Sequence, residues 1–309
     1  VCMIRILRNT ALAALLFGLS ACGDAGAGLD VEAYEAELQE WRAGRLERLV
    51  APTGFLTQVG LFWLEDGRYT VGSGPDNAIR LPESAAPYVG EIVVTDGAVQ
   101  MSIADGVEVT YEGFSVTEMD LPADTSGDFV MLRHGSIAWS VIERGGKLAV
   151  RLRDFEHPWI KTFGPIPYYD IDLDYRVEAT LHPYDEPRRI TVNTVIEGFT
   201  QNPVAPGTVT FAIDGVEYEL EPTLAGDSLF FVFGDQTNRG ETYGAGRYLY
   251  ASMPGEDGRF VLDFNRAYSP PCAFNDFSTC PVASPRNRLP IRVEVGEKYD
   301  EALHFSPGD

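Results

Sequence analysis

Residues 209–220 read VTFAIDGVEYEL, two runs of alternating apolar and polar residues on either side of Asp214-Gly215. Alternation with a period of two predicts strands that bury one face, and Asp-Gly between two such runs predicts a tight hairpin turn. The same punctuation recurs at Asp66-Gly67, Asp96-Gly97, Asp105-Gly106, Gly145-Gly146 and Asp257-Gly258. The sequence therefore predicts a mainly β fold of two antiparallel halves, each a β-sandwich or barrel-like, with one N-terminal helix.

The beginning of the folded body departs from this β pattern. Asp30 precedes a run whose apolar residues recur mostly every three or four positions, which predicts a helix capped by Asp30 that ends before Pro52. Farther along, the segment 155–167 is rich in proline and aromatic residues and interrupts the strands. We expect a boundary there, between a unit of residues 30–154 and a unit of residues 155–309, with the segment packed between them.

The charge of the chain excludes one class of partner. Its 309 residues include 24 Lys plus Arg and 46 Asp plus Glu, a formal net charge of −22. A surface that binds nucleic acid needs clustered cations, and an excess of acids raises the cost of approaching any polyanion. We therefore expect no nucleic-acid partner. The composition names no reaction, and no cofactor is predicted.

The first 29 residues predict export. Two arginines precede an apolar run that ends in small residues, which is the order of a signal peptide over residues 1–21 and is too short to span a bilayer comfortably. The stretch LSAC at 19–22 resembles a bacterial lipobox, which implies a lipid on Cys22 and a Gly-rich tether over 22–29. We expect this lipid to anchor the protein in the cell envelope, facing the periplasm, and Gly23 favours the outer membrane. A secretory signal with a chance cysteine is the alternative.

Two cysteines remain in the body, Cys272 and Cys280, in a loop rich in Pro and Asn. An exported chain meets an oxidising compartment, so this pair predicts a disulfide. A redox or metal-binding pair is the alternative. The four histidines are scattered and show no metal-ligand spacing, so we predict no metal site.

Several motifs are similar to the family known as domain of unknown function 1684. They are GLFWL at 60–64, RLRD at 151–154, FGDQT at 233–237, TYGAGR at 242–247 and DFNRAYSPPC at 263–272. The resemblance extends over most of the body. It implies no chemistry, because no activity is established for that family.

A second resemblance concerns the first half. VGSGPDNAIRLP at 71–82, followed by several short strands, resembles a forkhead-associated β-sandwich. That family reads phosphothreonine partly through an Arg directly after the Gly of this motif, and here Ser73 stands at that position. Without the guanidinium a phosphate loses its main charge-assisted contact. The resemblance therefore implies the architecture but not the phosphopeptide function.

Two further patterns suggest chemistry but have simpler interpretations. GDSL at 226–229 matches the name of a Ser esterase family, with Glu301 and His304 as candidate partners, but it lies between two β runs and predicts a hairpin turn. Three aspartates alternate with apolar residues over 170–174, and on a strand this spacing predicts one solvated face. An incidental cation is the alternative for the aspartates.

Polar side chains surround the disulfide loop. The candidate binding residues are Asp235, Thr237, Tyr243, Arg247, Asp263, Asn265, Arg266, Tyr268 and Asn287. Such a mixture of arginines, carboxylates, phenols and amides suits a small polar ligand or envelope component, which is the function we favour. A hydrolase that uses Asp235 or Asp263 as acid or base is one alternative. A structural envelope protein without ligand, in which these groups form a buried network, is the other.

Overall fold

The computed structural model describes residues 28–306, which are mainly β with one long N-terminal helix, as predicted. The strands of the first half are β1 (Gln58–Leu64), β2 (Gly67–Gly72), β3 (Ile79–Arg80), β4 (Gly90–Thr95), β5 (Ala98–Ile103), β6 (Thr110–Tyr111), β7 (Phe114–Ser115), β8 (Glu118–Asp120), β9 (Leu132–His134), β10 (Ile137–Arg144) and β11 (Lys147–Asp154). They form a six-stranded sheet of order β1-β11-β10-β9-β6-β7 and a five-stranded sheet of order β3-β2-β4-β5-β8. The short pairing of β2 with the edge strand β3 is parallel, and the pairing of β2 with β4 is antiparallel.

The two sheets of the first half pack around one apolar core. Ile92 and Met101 of the five-stranded sheet are buried in it, together with Val150 and Leu152 of the six-stranded sheet. Trp139 joins the two sides, because its indole Nε1 lies 3.2 Å from the sulfur of Met101. The first half is therefore sandwich-like.

The second half has two sheets around an aromatic core. Its strands are β12 (Arg176–Arg189), β13 (Val192–Asn193), β14 (Thr200–Gln201), β15 (Val204–Ile213), β16 (Val216–Leu220), β17 (Thr223–Ala225), β18 (Ser228–Phe233), β19 (Arg247–Ser252) and β20 (Arg259–Asp263). A four-stranded sheet of order β16-β15-β12-β20 and a three-stranded sheet of order β17-β18-β19 enclose the buried rings of Phe211, Phe231, Phe233 and Phe264. Strands β13 and β14 pair separately.

The turn residues explain the hairpins. Two-residue turns at Asp96-Gly97, Gly145-Gly146 and Asp214-Gly215 connect paired strands, as predicted, and all six residues have positive φ. Asp and Gly suit these turns because both central positions require that conformation. The hairpin prediction is wrong at Asp66-Gly67, Asp105-Gly106 and Asp257-Gly258, which lie between strands of different sheets. A local turn signal does not specify which strand becomes the partner.

Helix α1 (Val31–Val50) forms where the sequence predicts it. The Asp30 carboxylate accepts a hydrogen bond from the Ala33 amide at 3.1 Å, and the helix ends before Pro52. Its buried side chains are Tyr34, Leu38, Arg45 and Leu49. Two of these four are polar, so the inward face of α1 meets polar groups as well as the apolar core.

The connecting segment packs against α1. It contains the short helix α2 (Pro158–Thr162). Trp159 and Phe163 pack in one apolar cluster with Leu49 of α1 and Phe274 of the disulfide loop. These contacts tie helix α1 to the second half. The division into two units at residue 155 stays a prediction.

Among residues 28–306, no helix has both the length and the apolar character needed to cross a membrane. The predicted signal peptide, the lipidated Cys22 and most of the tether lie outside the described residues.

Candidate functional site

Arg247 and Asp235 form an ion pair sealed inside the second half. The Arg247 side chain is fully buried, and its Nη2 donates to Asp235 Oδ2 at 2.8 Å and to the Val293 carbonyl at 2.7 Å. Its Nη1 donates to the Val295 carbonyl. The other Asp235 oxygen accepts from the amide and hydroxyl of Thr237 at 2.7 and 2.6 Å. Both charges therefore have partners inside the protein, and the pair holds the chain at 293–295 against the sheet.

Asn287 also makes internal contacts. Its side-chain oxygen accepts from the Glu221 amide at 2.8 Å, and its Nδ2 donates to the carbonyls of Glu221 and Val232 at 2.9 and 3.1 Å. Tyr243 packs its ring 5.3 Å from that of Tyr299, and burial raises the pKa of Tyr243 to about 12. These contacts hold the loops that carry Asn287 and Tyr243 against neighbouring parts of the second half.

Asp263 lies where helix α1 meets the second half. The Tyr34 hydroxyl donates to its two oxygens at 3.0 and 2.9 Å, and the Asn265 amide donates to Oδ1 at 3.1 Å. Asn265 is fully buried and exchanges two further hydrogen bonds with the backbone of Asp172. Burial, followed by the nearby Asp263 charge, raises the pKa of Tyr34. Asn265 is thus a positioning residue within the fold, whereas Asp263 also borders open space.

A second buried ion pair, which the sequence reasoning missed, holds the other end of α1. Arg45 Nε lies 3.0 Å from Glu297 Oε1, and Arg45 Nη2 donates to the Ser269 carbonyl at 2.8 Å. Glu297 is fully buried and also accepts from the Tyr168 hydroxyl and the Ser269 amide. Arg45 and Glu297 are 252 positions apart, so no local sequence pattern predicts their contact.

One face of α1 forms a wall of an open cleft. The side chains on this wall are Tyr34, Glu37, Trp41, Arg45 and Arg48, at steps of three or four residues that keep them on one side of a helix. The opposite wall comes from the second half, mainly from β18, β19, β20 and the chain that follows β20. Its main residues are Arg176, Ser228, Phe230, Tyr248, Tyr250, Ser252, Val261, Asp263, Arg266 and Tyr268. We call this space the α1 cleft, its α1 side the helix wall and its opposite side the sheet wall. Its volume is about 690 Å³.

The α1 cleft gathers cations on an acidic protein. Four arginines and two carboxylates line it, although the whole chain has a net charge of −22. Glu297 compensates Arg45, and Arg266 lies 2.8 Å from Glu37 and 3.4 Å from Asp263. Arg48 is exposed and makes no ion pair with any residue between 28 and 306. The cleft therefore offers a guanidinium to an incoming anion.

Aromatic rings cover much of the sheet wall. Phe230 lies 4.9 Å from Tyr248 and 4.8 Å from Tyr250, between ring centroids, and the rings of Tyr250 and Tyr268 are parallel at 6.4 Å. Tyr250 remains 49% exposed. Burial raises the pKa of Tyr268, so this phenol stays protonated even above pH 10. Rings with polar tips are suited to organic ligands that are partly apolar.

The other sequence patterns have structural roles. Gly226 and Asp227 form the two-residue turn between β17 and β18, so the GDSL stretch is a hairpin. His304 has its ring nitrogens 3.1 Å from the Ala273 carbonyl and 3.0 Å from Asp276, which ties the C-terminal segment to the disulfide loop. Glu301 begins a short 3-10 helix. The GDSL stretch therefore forms the predicted turn. The ring nitrogens of His304 contact Ala273 and Asp276, so His304 does not form a catalytic triad with Ser228.

The aspartates at 170–174 are exposed, but they do not lie on a strand as expected. Asp172 instead caps a 3-10 turn, where its Oδ1 accepts from the Asp174 amide at 2.9 Å. Across the described part of the chain, no group of three or more His, Cys, Asp or Glu side chains is arranged to hold a metal ion. The short side chain of Asp competes for local backbone donors, which explains why this alternation forms a turn.

Cys272 and Cys280 form the predicted disulfide. The bridge packs in a buried cluster with Tyr248, and Phe230 and Tyr268 pack against that cluster. It therefore supports the sheet wall of the α1 cleft from behind.

Comparisons with known proteins place the second half in a family. Residues 161–298 match a family model described as a protein of unknown function, DUF1684. Residues 161–298 therefore form a domain of this family. The match includes the sheet wall of the α1 cleft and stops short of helix α1, so family membership alone describes one wall of the cleft. No curated protein matches the chain.

Solved structures give partial likenesses. An uncharacterised protein of Haloarcula marismortui, solved by NMR, is 31% identical over 45% of this chain and 79% of its own, with a TM-score of 0.39. A forkhead-associated domain solved in complex with the intracellular domain of Rv3910 is 18% identical over 30% of this chain and 97% of its own, with a TM-score of 0.21. Another forkhead-associated domain, studied for phosphothreonine-dependent interactions, is 20% identical over 33% of this chain and 99% of its own, also with a TM-score of 0.21.

The predicted site residues thus separate into two groups. Asp263, Arg266 and Tyr268 line the α1 cleft. The others, Asp235, Thr237, Tyr243, Arg247, Asn265 and Asn287, lie in internal networks and packing contacts. The helix wall was not predicted, because the periodic residues after Asp30 were interpreted only as evidence of a helix. The signal available was the regular spacing of arginines and aromatics along α1.

Proposed function

We propose that the protein is an exported, lipid-anchored binding protein whose α1 cleft holds a small organic anion. The observation that carries the proposal is Arg48, an exposed arginine without an ion-pair partner in residues 28–306, beside a cleft whose opposite wall is aromatic. A volume of about 690 Å³ suits a small molecule. Arginine donates to carboxylates and phosphates through two parallel N–H groups, which favours such ligands.

The net negative charge of the whole chain restricts the places where an anion can bind. A net charge of −22 repels anions at long range, so an anion binds only where cations and short-range contacts outweigh that field. The aromatic wall supplies such contacts for the rest of the ligand.

The hydrolase alternative gains no support from Asp235. Its carboxylate is enclosed with Arg247 and Thr237, so a substrate has no access to it. Asp263 does border the cleft, but both of its oxygens already accept from Tyr34, and Arg266 is close to one of them. Binding is therefore the activity that we propose for the cleft.

The anion proposal is tested by titration with benzoate, followed by calorimetry and thermal unfolding. Wild-type protein should bind benzoate and unfold at a higher temperature in its presence, since a ligand that binds only the folded state stabilises it. Arg48→Ala should remove this effect. Arg80→Ala, at another exposed arginine, is the matched control and should keep it. If neither benzoate nor any other small carboxylate or phosphate stabilises the wild type, the protein has a structural role instead.

The anchoring part rests on residues 19–22 and needs its own experiment. Cys22→Ser should move the protein from the membrane fraction to the soluble periplasmic fraction and abolish fatty-acid labelling, because Cys22 is the proposed point of lipid attachment. Wild-type protein that incorporates no label would contradict this.

A further inference from the structure

A second and smaller space lies on the other side of Phe230. It has a volume of about 140 Å³ and is lined mostly by apolar side chains, among them Val192, Pro203, Leu224 and Val232. Its edge also includes five polar residues, Gln201, Glu221, Thr223, Ser284 and Asn287. The Asn287 amide is already bonded to the Glu221 backbone, and the Glu221 carboxylate to Tyr184 and Arg188. We call this space the apolar pocket.

Phe230 lines both spaces. Along β18, Leu229, Phe231 and Phe233 point into the aromatic core and are fully buried, so Phe230 and Val232 occupy the opposite face of the strand. The Phe230 ring contacts Tyr248 and Tyr250, which belong to the α1 cleft, while Val232 belongs to the apolar pocket. A single side chain is therefore a shared wall between a cationic space and an apolar one.

The volume of the apolar pocket limits what it can accept. A cavity of about 150 Å³ lined by aliphatic and aromatic residues accommodates one benzene ring. The 140 Å³ of the apolar pocket therefore suits one ring or a hydrocarbon segment of similar size. Four of the five polar residues at its edge are already hydrogen-bonded within the protein, since Gln201 and Thr223 bond to the carbonyls of Thr279 and Phe230. A charged group there would therefore lose its hydration with few partners to replace it.

We infer that the ligand of the α1 cleft is an amphipathic carboxylate whose hydrocarbon tail passes Phe230 into the apolar pocket. This inference rests on the proposed function and specifies its ligand class. The carboxylate stays among the arginines of the cleft, and the ring of Phe230 turns aside to admit the tail. Two adjacent spaces of opposite polarity thus act as one site.

The test is a chain-length series measured by calorimetry: acetate, butanoate, hexanoate and octanoate. For wild-type protein, each methylene that enters the apolar pocket should tighten binding roughly fourfold, and the gain should stop once the pocket is full. The variant Val232→Phe fills the pocket from β18 and should abolish the gain in affinity with chain length. Val216→Phe, at a residue that is 53% exposed, makes the same replacement away from both spaces and should behave as wild type.

Two additions keep the outcomes separate. Leu224→Phe fills the same pocket from β17 and replaces Val232→Phe if that variant fails to fold. Hexanol carries the tail without the charge and should bind at least tenfold more weakly than hexanoate. If all carboxylates bind equally and Arg48→Ala abolishes their binding, the tail inference is wrong and the anion site stands. If hexanol binds as tightly as hexanoate, or no carboxylate binds, the inference and the proposed function both fail.

Discussion

Arg247 and Arg48 carry the same guanidinium group in opposite environments. Arg247 is fully buried and bonded to Asp235 and two backbone carbonyls. Arg48 is exposed at the last turn of α1, with no ion-pair partner in residues 28–306. Removing a guanidinium from water is costly unless its charge is paired, and the ion pair with Asp235 meets this need although Arg247 Nε has no hydrogen-bond partner within the described part of the chain. A buried arginine of this kind is committed to the fold. An arginine that remains hydrated is available to a ligand.

The same contrast separates the two carboxylates first considered for catalysis. Asp235 has its charge balanced within a closed network. Asp263 is also held by internal hydrogen bonds, but it borders the α1 cleft. Residue type is therefore no guide to function here, whereas solvent access is.

Arg247→Leu should have the largest effect, since it leaves Asp235 buried without its cation. We expect the free energy of unfolding to fall by about 3–5 kcal/mol. Urea unfolding monitored by circular dichroism measures it. The double variant with Asp235→Leu removes both charges and should cost less than the sum of the two single changes. A loss below about 1 kcal/mol for the single variant would show that the network is hydrated and not sealed.

The disulfide should contribute the next largest effect. Replacing Cys272 and Cys280 by Ser should lower the free energy of unfolding by about 2.5 kcal/mol, because a short loop is released in the unfolded chain. The bridge packs beside Tyr248, so ligand binding in the cleft should weaken as well. Intact mass of the native protein should show two hydrogens fewer than the reduced form. Two freely alkylated thiols in protein purified without reductant would contradict the bridge.

Tyr34 lines the α1 cleft and hydrogen-bonds to Asp263. Its contribution to the free energy of unfolding should depend on pH. Tyr34→Phe should cost about 1.5–3 kcal/mol at neutral pH, because the hydroxyl bonds to the Asp263 carboxylate. The folded pKa of Tyr34 lies above its ordinary value of 10.0, so this stability is fully present below pH 10 and is lost as the pH rises through the folded pKa. The difference between variant and wild type should shrink accordingly.

Urea unfolding at neutral pH and above pH 10 measures that difference. Tyr88→Phe, at a residue that is 47% exposed, is the matched control and should change little at either pH. A cost of Tyr34→Phe that grows with pH would refute the assignment.

Arg48→Ala should have the smallest effect on stability and the clearest effect on binding. We expect the free energy of unfolding to change by no more than about 0.5 kcal/mol, as for other surface substitutions. Calorimetric titration with benzoate should nevertheless show no binding. A large destabilisation would show that Arg48, like Arg247, has a structural role, and it would contradict the contrast between the two arginines.

The sequence predicted those parts of the fold that depend on neighbouring residues. The hairpin at Asp214-Gly215 and the cap at Asp30 are set by the backbone conformations and hydrogen bonds of a few adjacent positions. The turn at Asp66-Gly67 was predicted as a turn but misassigned as a hairpin. Whether the next strand joins the same sheet or the other one depends on packing of the whole half.

The candidate site was predicted less well for a physical reason. The candidate binding residues Arg247 and Arg266 both carry a guanidinium group, but Arg247 is fully buried and Arg266 borders the cleft. A single sequence does not show whether a side chain is exposed when the residues that surround it in space are distant in the sequence. The helix wall was missed because Tyr34 and Trp41 are equally suited to a core.

By itself the sequence determined the mainly β architecture, the start and end of helix α1 and the pairing of the two body cysteines, because each follows from local turn chemistry, capping or cysteine count. Only the tertiary structure decided which polar groups became scaffold and which faced a cleft. The contacts that make that decision join Tyr34 to Asp263 and Arg45 to Glu297, 229 and 252 positions apart. Such contacts depend on how the helix docks on a distant sheet, and the free energy of that docking is a sum over the whole interface that no local pattern records.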